Sequence, residues 1–190
     1  RLVQEARCRY FWVLNPDVVV PAGYYREMLG RADSDFGHNL FGSTITFGDR
    51  PDTIWFAGGD VDLANGGFSI HRFIGKNISD VPSEAYECDY LTGANVFGRT
   101  SVLNRIGYLP EDYFLYYEET DWFMRAREYG ERPLLFPDMH LAHWKRSEVG
   151  GLPTKTYFYY FVRNAYLFGD RYAKGSLAAR EAKLADFRES

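Results

Sequence analysis

Cysteine is scarce in this sequence: among 190 residues only Cys8 and Cys88 are present. Two cysteines provide neither a zinc cluster nor the disulfide framework that is typical of small secreted domains. A reducing compartment is therefore expected. We predict a cytoplasmic protein, and we leave open whether it works at the inner face of the membrane.

Three other features are missing. No apolar run approaches the roughly 18 residues that a membrane span needs, and the first residues do not form a signal peptide, although peripheral membrane association stays open. The sequence has 22 Lys and Arg against 26 Asp and Glu, a net charge of -4. This argues against nucleic-acid binding, which needs clustered positive charge. Neither a P-loop nor a dinucleotide-binding fingerprint occurs.

Aromatic residues, in contrast, are abundant. They make up 18% of the chain, and hydrophobic residues together make up 46%. A chain of this length and composition forms one soluble domain with a substantial core. Aromatic side chains also stack on sugars and fill partner interfaces, so a carbohydrate ligand and a homo-oligomer both stay open.

The order of the predicted elements indicates an α/β fold. Residues 10–14 and 40–47 predict strands, and the first of these is continuously apolar, which is typical of a strand buried on both faces. Turn residues at 65–67 predict a hairpin. Residues 154–172 predict a helix, and the tail after it predicts an amphipathic helix. Residues 1–8 resemble the last turns of a helix, and residues 148–153 a loop that covers a site.

The turn after the first strand carries candidate metal ligands. Asn15 and Asp17 flank Pro16 at the carboxyl end of residues 10–14, where α/β sheets place ligand-binding groups. Oxygen ligands of this kind suit a hard divalent cation. His143 in a later predicted strand is a further candidate, because imidazole suits Mn²⁺. The alternatives are an ordinary turn and a hydrogen-bonded core histidine.

An acidic stretch follows an aromatic run at residues 113–117. Glu118 and Glu119 precede a predicted helix for which Thr120 is the expected N-cap, and Asp121 is spaced to pair with Arg125. A carboxylate held between aromatic packing and a helix end is a suitable general base. The field of the helix is expected to lower its pKa. The alternative is that the acids only begin a helix.

These segments together resemble the family-2 inverting glycosyltransferases of GT-A fold, in particular the rhamnosyltransferase-like branch. The matching residues are 12–17, 91–94, 117–125, 143–144 and 160–164. The resemblance implies a GT-A-like mixed sheet with flanking helices, an α/β fold. The chain would be its partial, C-terminal portion, over residues 1–172, with an amphipathic helix at 173–190. A nucleotide-binding half would precede residue 1.

The resemblance also implies roles for individual residues. Asp17, Asn15 and His143 would hold Mg²⁺ or Mn²⁺ on the diphosphate of a nucleotide-sugar donor. Glu119 would deprotonate the hydroxyl of a glycan or lipid-linked acceptor, and Glu118 is the alternative base. The predicted substrate-binding residues are Thr92, Gly93, Ala94, Asp121, Trp122 and Arg163.

Two other functions remain open at this point. A glycoside hydrolase would use paired carboxylates, Glu119 with Asp17 or Asp121, at a defined separation across a sugar-sized cleft. A carbohydrate-binding module without catalysis would need an exposed aromatic platform. The transferase instead requires Tyr116 and Trp122 to be mostly buried around an acid.

Overall fold

The computed structural model describes residues 8–144 and 155–173, together with Ala178, Glu181 and Ala182. Three predictions therefore lie wholly or mostly outside the described residues. They are the helical turns at residues 1–8, the loop at 148–153 and the helix at 173–190. No helix in the described part of the chain is long and apolar enough to span a bilayer.

Strands and helices combine along the chain in a mixed α/β arrangement. In order they are β1 (Tyr10–Leu14), β2 (Val18–Val19), α1 (Tyr24–Ser34), β3 (Leu40–Phe47), β4 (Arg50–Phe56), β5 (Gly59–Asp62), β6 (Phe68–His71), β7 (Tyr86–Glu87), β8 (Asn95–Arg99), α2 (Thr100–Ile106), α3 (Glu118–Glu128), β9 (Leu134–His143) and α4 (Lys155–Tyr172). The predicted strand at 40–47 and helix at 154–172 are confirmed within one residue.

One mixed sheet carries most of the structure. Its strands run in the order β1-β8-β3-β9-β2, with β4 also paired to β3 and β7 to β9. β3 and β9 are parallel, whereas β1–β8, β3–β8 and β2–β9 are antiparallel. β5 and β6 form the separate hairpin that the turn residues predict. β3 is buried over almost its whole length, as a central strand requires.

β1 differs from its prediction. All five of its residues are only partly buried. The reason is its place in the sheet: among the described strands β1 pairs with β8 alone and therefore lies at the end of the sheet. Its apolar side chains still pack on both faces. Phe11 contacts Trp122 on one side, and the ring of Trp12 stacks on Tyr24 of α1 on the other, at 5.8 Å between centroids.

β9 also differs from what its sequence indicates, because residues 133–136 and 140–144 each resemble a short strand and Pro137 lies between them. The structure has one strand of ten residues. Pairing with β3 shifts register between Ser43, opposite Phe136, and Thr44, opposite His140. The hydroxyl of Thr44 donates to the carbonyl of Pro137 at 2.9 Å, which satisfies an acceptor at this bulge. The strand therefore continues past the proline and delivers His143 to its far end.

The apolar core is divided into two clusters. The larger one lies between the sheet and helices α1, α2 and α3. The smaller one joins α4 to the hairpin and to the segment that enters α3, with Phe68, Tyr113, Tyr117, Met124, Ala165 and Phe168 at its centre. Helix α4 is thus packed against the start of α3, where the acidic residues lie.

Candidate functional site

The turn after β1 brings Asp17 to His143. The N–H of Val18 donates to the carbonyl of Asn15 at 3.2 Å, which closes the turn around Pro16. β2 then pairs with the end of β9, with Val18 opposite His143. The N–H of Trp144 donates to the carbonyl of Asp17 at 2.9 Å. As a result, Oδ1 of Asp17 lies 3.1 Å from Nε2 of His143.

The two side chains differ in exposure. The Asp17 carboxylate is 49% exposed and the His143 ring 5% exposed. Trp55 covers the imidazole, at 4.3 Å between ring centroids. A buried imidazole beside an accessible carboxylate fits a borderline divalent cation such as Mn²⁺. No cluster of three or more His, Cys, Asp or Glu lies together within the described residues, so a cation here needs further oxygens, such as those of a diphosphate.

A buried polar network fixes the end of β1 in place. The amide of Asn95 accepts from the indole N–H of Trp12 at 2.9 Å and donates to the hydroxyls of Tyr24 and Ser43, each at 3.1 Å. Tyr24 in turn donates to Ser43 at 2.7 Å. These bonds join β1, α1, β3 and β8 beside the turn at Asn15. Asn95 is not among the site residues predicted from the sequence, although a lone Asn between apolar residues is a signal of such a network.

Residues 92–94 link this turn to the acidic stretch. The N–H of Asn15 donates to the carbonyl of Ala94 at 3.4 Å, and the N–H of Gly93 donates to Oε1 of Glu119 at 3.3 Å. Thr92, which is buried, accepts from the N–H of Ala94 through its hydroxyl. The predicted metal ligands, the small-residue bend and the predicted base are therefore one continuous set of contacts.

Helix α3 begins three residues earlier than predicted. It starts at Glu118, and its N-cap is Tyr117 in a left-handed conformation, so the predicted capping role of Thr120 is wrong. Thr120 lies buried inside the first turn instead. The carboxylates of Glu118 and Glu119 each keep one buried oxygen, Oε2, that accepts no hydrogen bond from any residue the structure describes.

The electrostatic expectation for Glu119 is also wrong. Burial, together with the neighbouring charge of Glu118, raises its pKa from 4.5 to about 7, although the N–H groups of Glu119 and Gly93 act in the opposite direction. Burial raises the pKa of Glu118 as well. The cost of burying a charge exceeds the stabilisation from the helix end because few donors reach the carboxylate. A carboxyl group with a pKa near neutrality can exchange protons at physiological pH.

A largely apolar pocket of about 210 Å³ opens beside Glu119. Its walls come from β1, β8, α2 and α3, and are formed by Phe11, Val13, Gly93, Val96, Leu103, Tyr108, Leu109, Glu119, Trp122 and Phe123. Trp122 is almost fully buried and is fixed by a 2.8 Å hydrogen bond from its indole to the carbonyl of Gly107. The low polarity of this pocket is the physical source of the raised pKa.

Two predicted substrate-binding residues are engaged with the protein itself. Asp121 is fully buried, pairs with Arg125 and Arg171, and accepts from the hydroxyl of Tyr113 at 2.9 Å. A substrate would have to displace these groups to reach its carboxylate. Arg163 donates to the carbonyl of Asp112 at 3.0 Å and to Oδ1 of its neighbour Asn164 at 2.7 Å.

The segment that enters α3 has an unusual backbone. Phe114, Tyr116 and Tyr117 have φ values of 65°, 65° and 73°, in the left-handed region. This region costs a residue with a Cβ roughly 1–2 kcal/mol, so surrounding contacts must hold the segment. The side chain of Asn164 provides several of these contacts, and Asn164 is not among the site residues predicted from the sequence. Its one visible signal is a polar residue on the buried face of an aromatic helix.

Comparison with known proteins supports the fold. No family model and no curated protein matches the chain. A crystal structure of GalNAc-T7 with UDP, GalNAc and Mn²⁺ is similar, with a TM-score of 0.56 and 14% identity, over 77% of this chain and 29% of that chain. The chain has a mixed α/β, GT-A-like fold and corresponds to part of that larger protein, which confirms the predicted fold class.

Proposed function

We propose that this chain belongs to an inverting glycosyltransferase that resembles the rhamnosyltransferase-like branch of family 2. It would move a sugar from a nucleotide-diphosphate donor to a hydroxyl of a glycan or lipid-linked acceptor. One observation carries the proposal: a buried carboxylate oxygen of Glu119 accepts no hydrogen bond from the residues that the structure describes, and the other oxygen is joined through residues 93–94 to the turn that holds Asp17 against His143.

Glu119 is the proposed general base. Its unpartnered oxygen takes the proton of the acceptor hydroxyl while that hydroxyl oxygen bonds to the anomeric carbon and the bond to the diphosphate breaks on the opposite side. A base of this kind typically contributes about 10²–10⁴-fold. Glu118 is the first residue of α3, and its negative charge raises the pKa of Glu119.

Asp17 and His143 are the residues that would hold Mg²⁺ or Mn²⁺, and Asn15 lies in the same turn. A bound cation would supply positive charge to the departing diphosphate. Such charge is needed because the chain itself has a net charge of -4. The half-exposed Asp17 carboxylate is accessible from solvent, as binding of a cation together with a diphosphate requires.

The burial of Trp122 favours transfer over a binding module without catalysis. A sugar-binding platform needs exposed aromatic rings, whereas Trp122 is 3% exposed and closes the wall beside Glu119. Burial of both faces of this ring is the arrangement expected around a reactive carboxylate.

The test is Glu119→Gln in the full chain, with Glu118→Gln as the matched control. Turnover on a panel of nucleotide sugars should fall about 10²-fold or more in Glu119→Gln, with donor affinity unchanged, because the amide keeps the shape and loses the basicity. Glu118→Gln should lose less. NMR of the first product formed should show an inverted anomeric carbon. Near-normal turnover of Glu119→Gln would move the base to another residue.

A further inference from the structure

Helix α4 makes an unusually concentrated contact with the segment that enters α3. Nδ2 of Asn164 donates to the carbonyls of Tyr113, Leu115 and Tyr116, at 3.0, 2.6 and 2.9 Å. An amide has two N–H groups, so one of them is shared between two carbonyls. Asn164 is fully buried, and its Oδ1 accepts from Arg163 at 2.7 Å. Its whole hydrogen-bonding capacity is thus directed at this segment and at its own helix.

The segment does not hold its shape through burial alone. Phe114 is left-handed although its ring is 76% exposed, so little apolar burial stabilises that conformation. Tyr116 is left-handed too, and its carbonyl is one of the three that Asn164 binds. The amide of Asn164 therefore stabilises this conformation against an ordinary turn.

Two further contacts join α4 directly to the start of α3. The ring of Phe168 lies 5.3 Å from that of Tyr117, the N-cap of α3. Arg171 pairs with the buried Asp121 in the first turn of α3. Asn164, Phe168 and Arg171 are spaced four and three residues apart along α4, so they share one face of it.

We propose that Asn164 is a positioning residue for the Glu118–Glu119 pair: it fixes residues 113–117 in the conformation that starts α3 at Glu118 and places the Glu119 carboxylate against Gly93. The catalytic part of this inference rests on the proposed function. Its structural part, that Asn164 controls the surroundings of Glu119, does not.

The first test compares Asn164→Ala and Asn164→Asp with Met28→Ala. Met28 is fully buried in α1, which packs in the larger core away from this segment, so its truncation controls for lost stability. We expect kcat to fall about 10-fold or more in both Asn164 variants while KM for the donor changes less than 2-fold, because a displaced base affects the chemical step. Met28→Ala should change neither by more than 2-fold in the folded protein.

The second test does not depend on activity. NMR titration of ¹³C-labelled glutamate carboxyls reports the pKa of Glu119, with Glu119→Gln used for assignment. The titratable groups that face Glu119 are Glu118 of the same helix and Tyr90 after β7. Loss of the Asn164 contacts should expose the carboxylate and move its pKa from near 7 towards the ordinary value, whereas Met28→Ala should leave it unchanged.

These measurements distinguish the proposal that Glu119 is the base from the proposal that Asn164 positions it. If Glu119→Gln stays active but Asn164→Ala still lowers the pKa of Glu119, the proposed base is wrong and the positioning role stands. If folded Asn164→Ala keeps both the pKa of Glu119 and the kcat of Met28→Ala, the positioning role is overturned. Should Asn164→Asp fail to fold, Asn164→Ala alone decides the question.

Discussion

The backbone N–H of Gly93 donates a hydrogen bond to Oε1 of Glu119 at 3.3 Å. This single contact ties the bend before β8 to the first turn of α3. A Cβ at residue 93 would lie 3.9 Å from the same oxygen, which is an ordinary contact distance. The hydrogen bond by itself therefore does not require a glycine at this position. The glycine leaves open the space in front of the carboxylate, which is where an acceptor hydroxyl would have to approach.

The pH dependence of transfer should reveal the state of Glu119. Its pKa is raised to about 7, and a base acts only when ionised. We therefore expect kcat/KM to rise with pH through about 7 and then level off. A base with an ordinary carboxyl pKa would already be ionised below pH 6, and its profile would level off there. The measurement is kcat/KM from pH 5 to pH 9 at a fixed metal concentration.

The control for this profile is Glu118→Gln. The charge of Glu118 raises the pKa of Glu119, so its removal should shift the acid limb to lower pH. A limb that stays in place after this substitution would mean that another group controls the profile.

The free energy of unfolding should also depend on Glu119. Its folded pKa is raised above the ordinary 4.5, so the folded state prefers the protonated acid and loses stability as pH rises between about 4.5 and 7. Glu119→Gln should therefore be more stable than the natural chain by about 3 kcal/mol at pH 8. At pH 4 the two should be nearly equal. Urea unfolding at both pH values measures this, and equal stabilities at pH 8 would contradict the burial of an ionised group.

Asp121→Asn should act on stability. The fully buried carboxylate pairs with Arg125 and Arg171, so the change leaves two arginines beside a neutral amide and should cost about 3 kcal/mol. Asp138→Asn is the matched control, because that half-exposed carboxylate pairs with Arg31 on the surface and should cost no more than about 1 kcal/mol. Urea unfolding at pH 7 compares them. Equal losses would show that the buried pairs add nothing.

Asp17→Ala should remove metal-dependent donor binding in the full chain. The Asp17 carboxylate is the accessible partner of the buried His143, and within the described residues no third His, Cys, Asp or Glu joins them. Calorimetry with Mn²⁺ and a nucleoside diphosphate measures the effect. Asp33→Ala is the control, because Asp33 pairs with Arg9 beside the start of β1, at the opposite end of that strand from the turn that carries Asp17. Unchanged affinity in Asp17→Ala would exclude this carboxylate as a ligand.

Most strands and helices of the fold could be predicted from sequence because their signals are local. The apolar run of residues 40–47 and the turn residues at 65–67 correspond to β3 and to the β5–β6 hairpin. The failures come from long-range pairing. Nothing near residue 137 shows that a bulge opposite β3 lets the strand continue through Pro137. Nothing within residues 10–14 shows that β1 lies at the end of the sheet that the described strands form.

The candidate site shows the same difference between local signals, which could be read from the sequence, and long-range contacts, which could not. Residue types and spacing pointed to Asp17, His143 and Glu119, and the structure brings Asp17 to His143 and Glu119 to Gly93. The direction of the pKa shift of Glu119 was not predictable, because it depends on the pocket wall that four separate elements build. Asn164 was equally hidden, since its partners lie about fifty residues earlier in the chain.

The parallel pairing of β3 with β9 has a consequence for how the chain reaches its native state. The contact between Thr44 and Pro137 spans 93 residues, and the Trp12–Asn95 contact beside it spans 83. Closing such long loops costs entropy before the new contacts repay it, and chains dominated by distant contacts fold slowly. During synthesis the edge of β3 that pairs with β9 stays uncovered until β9 has left the ribosome. Capture by chaperones in that interval is the natural protection for this strand.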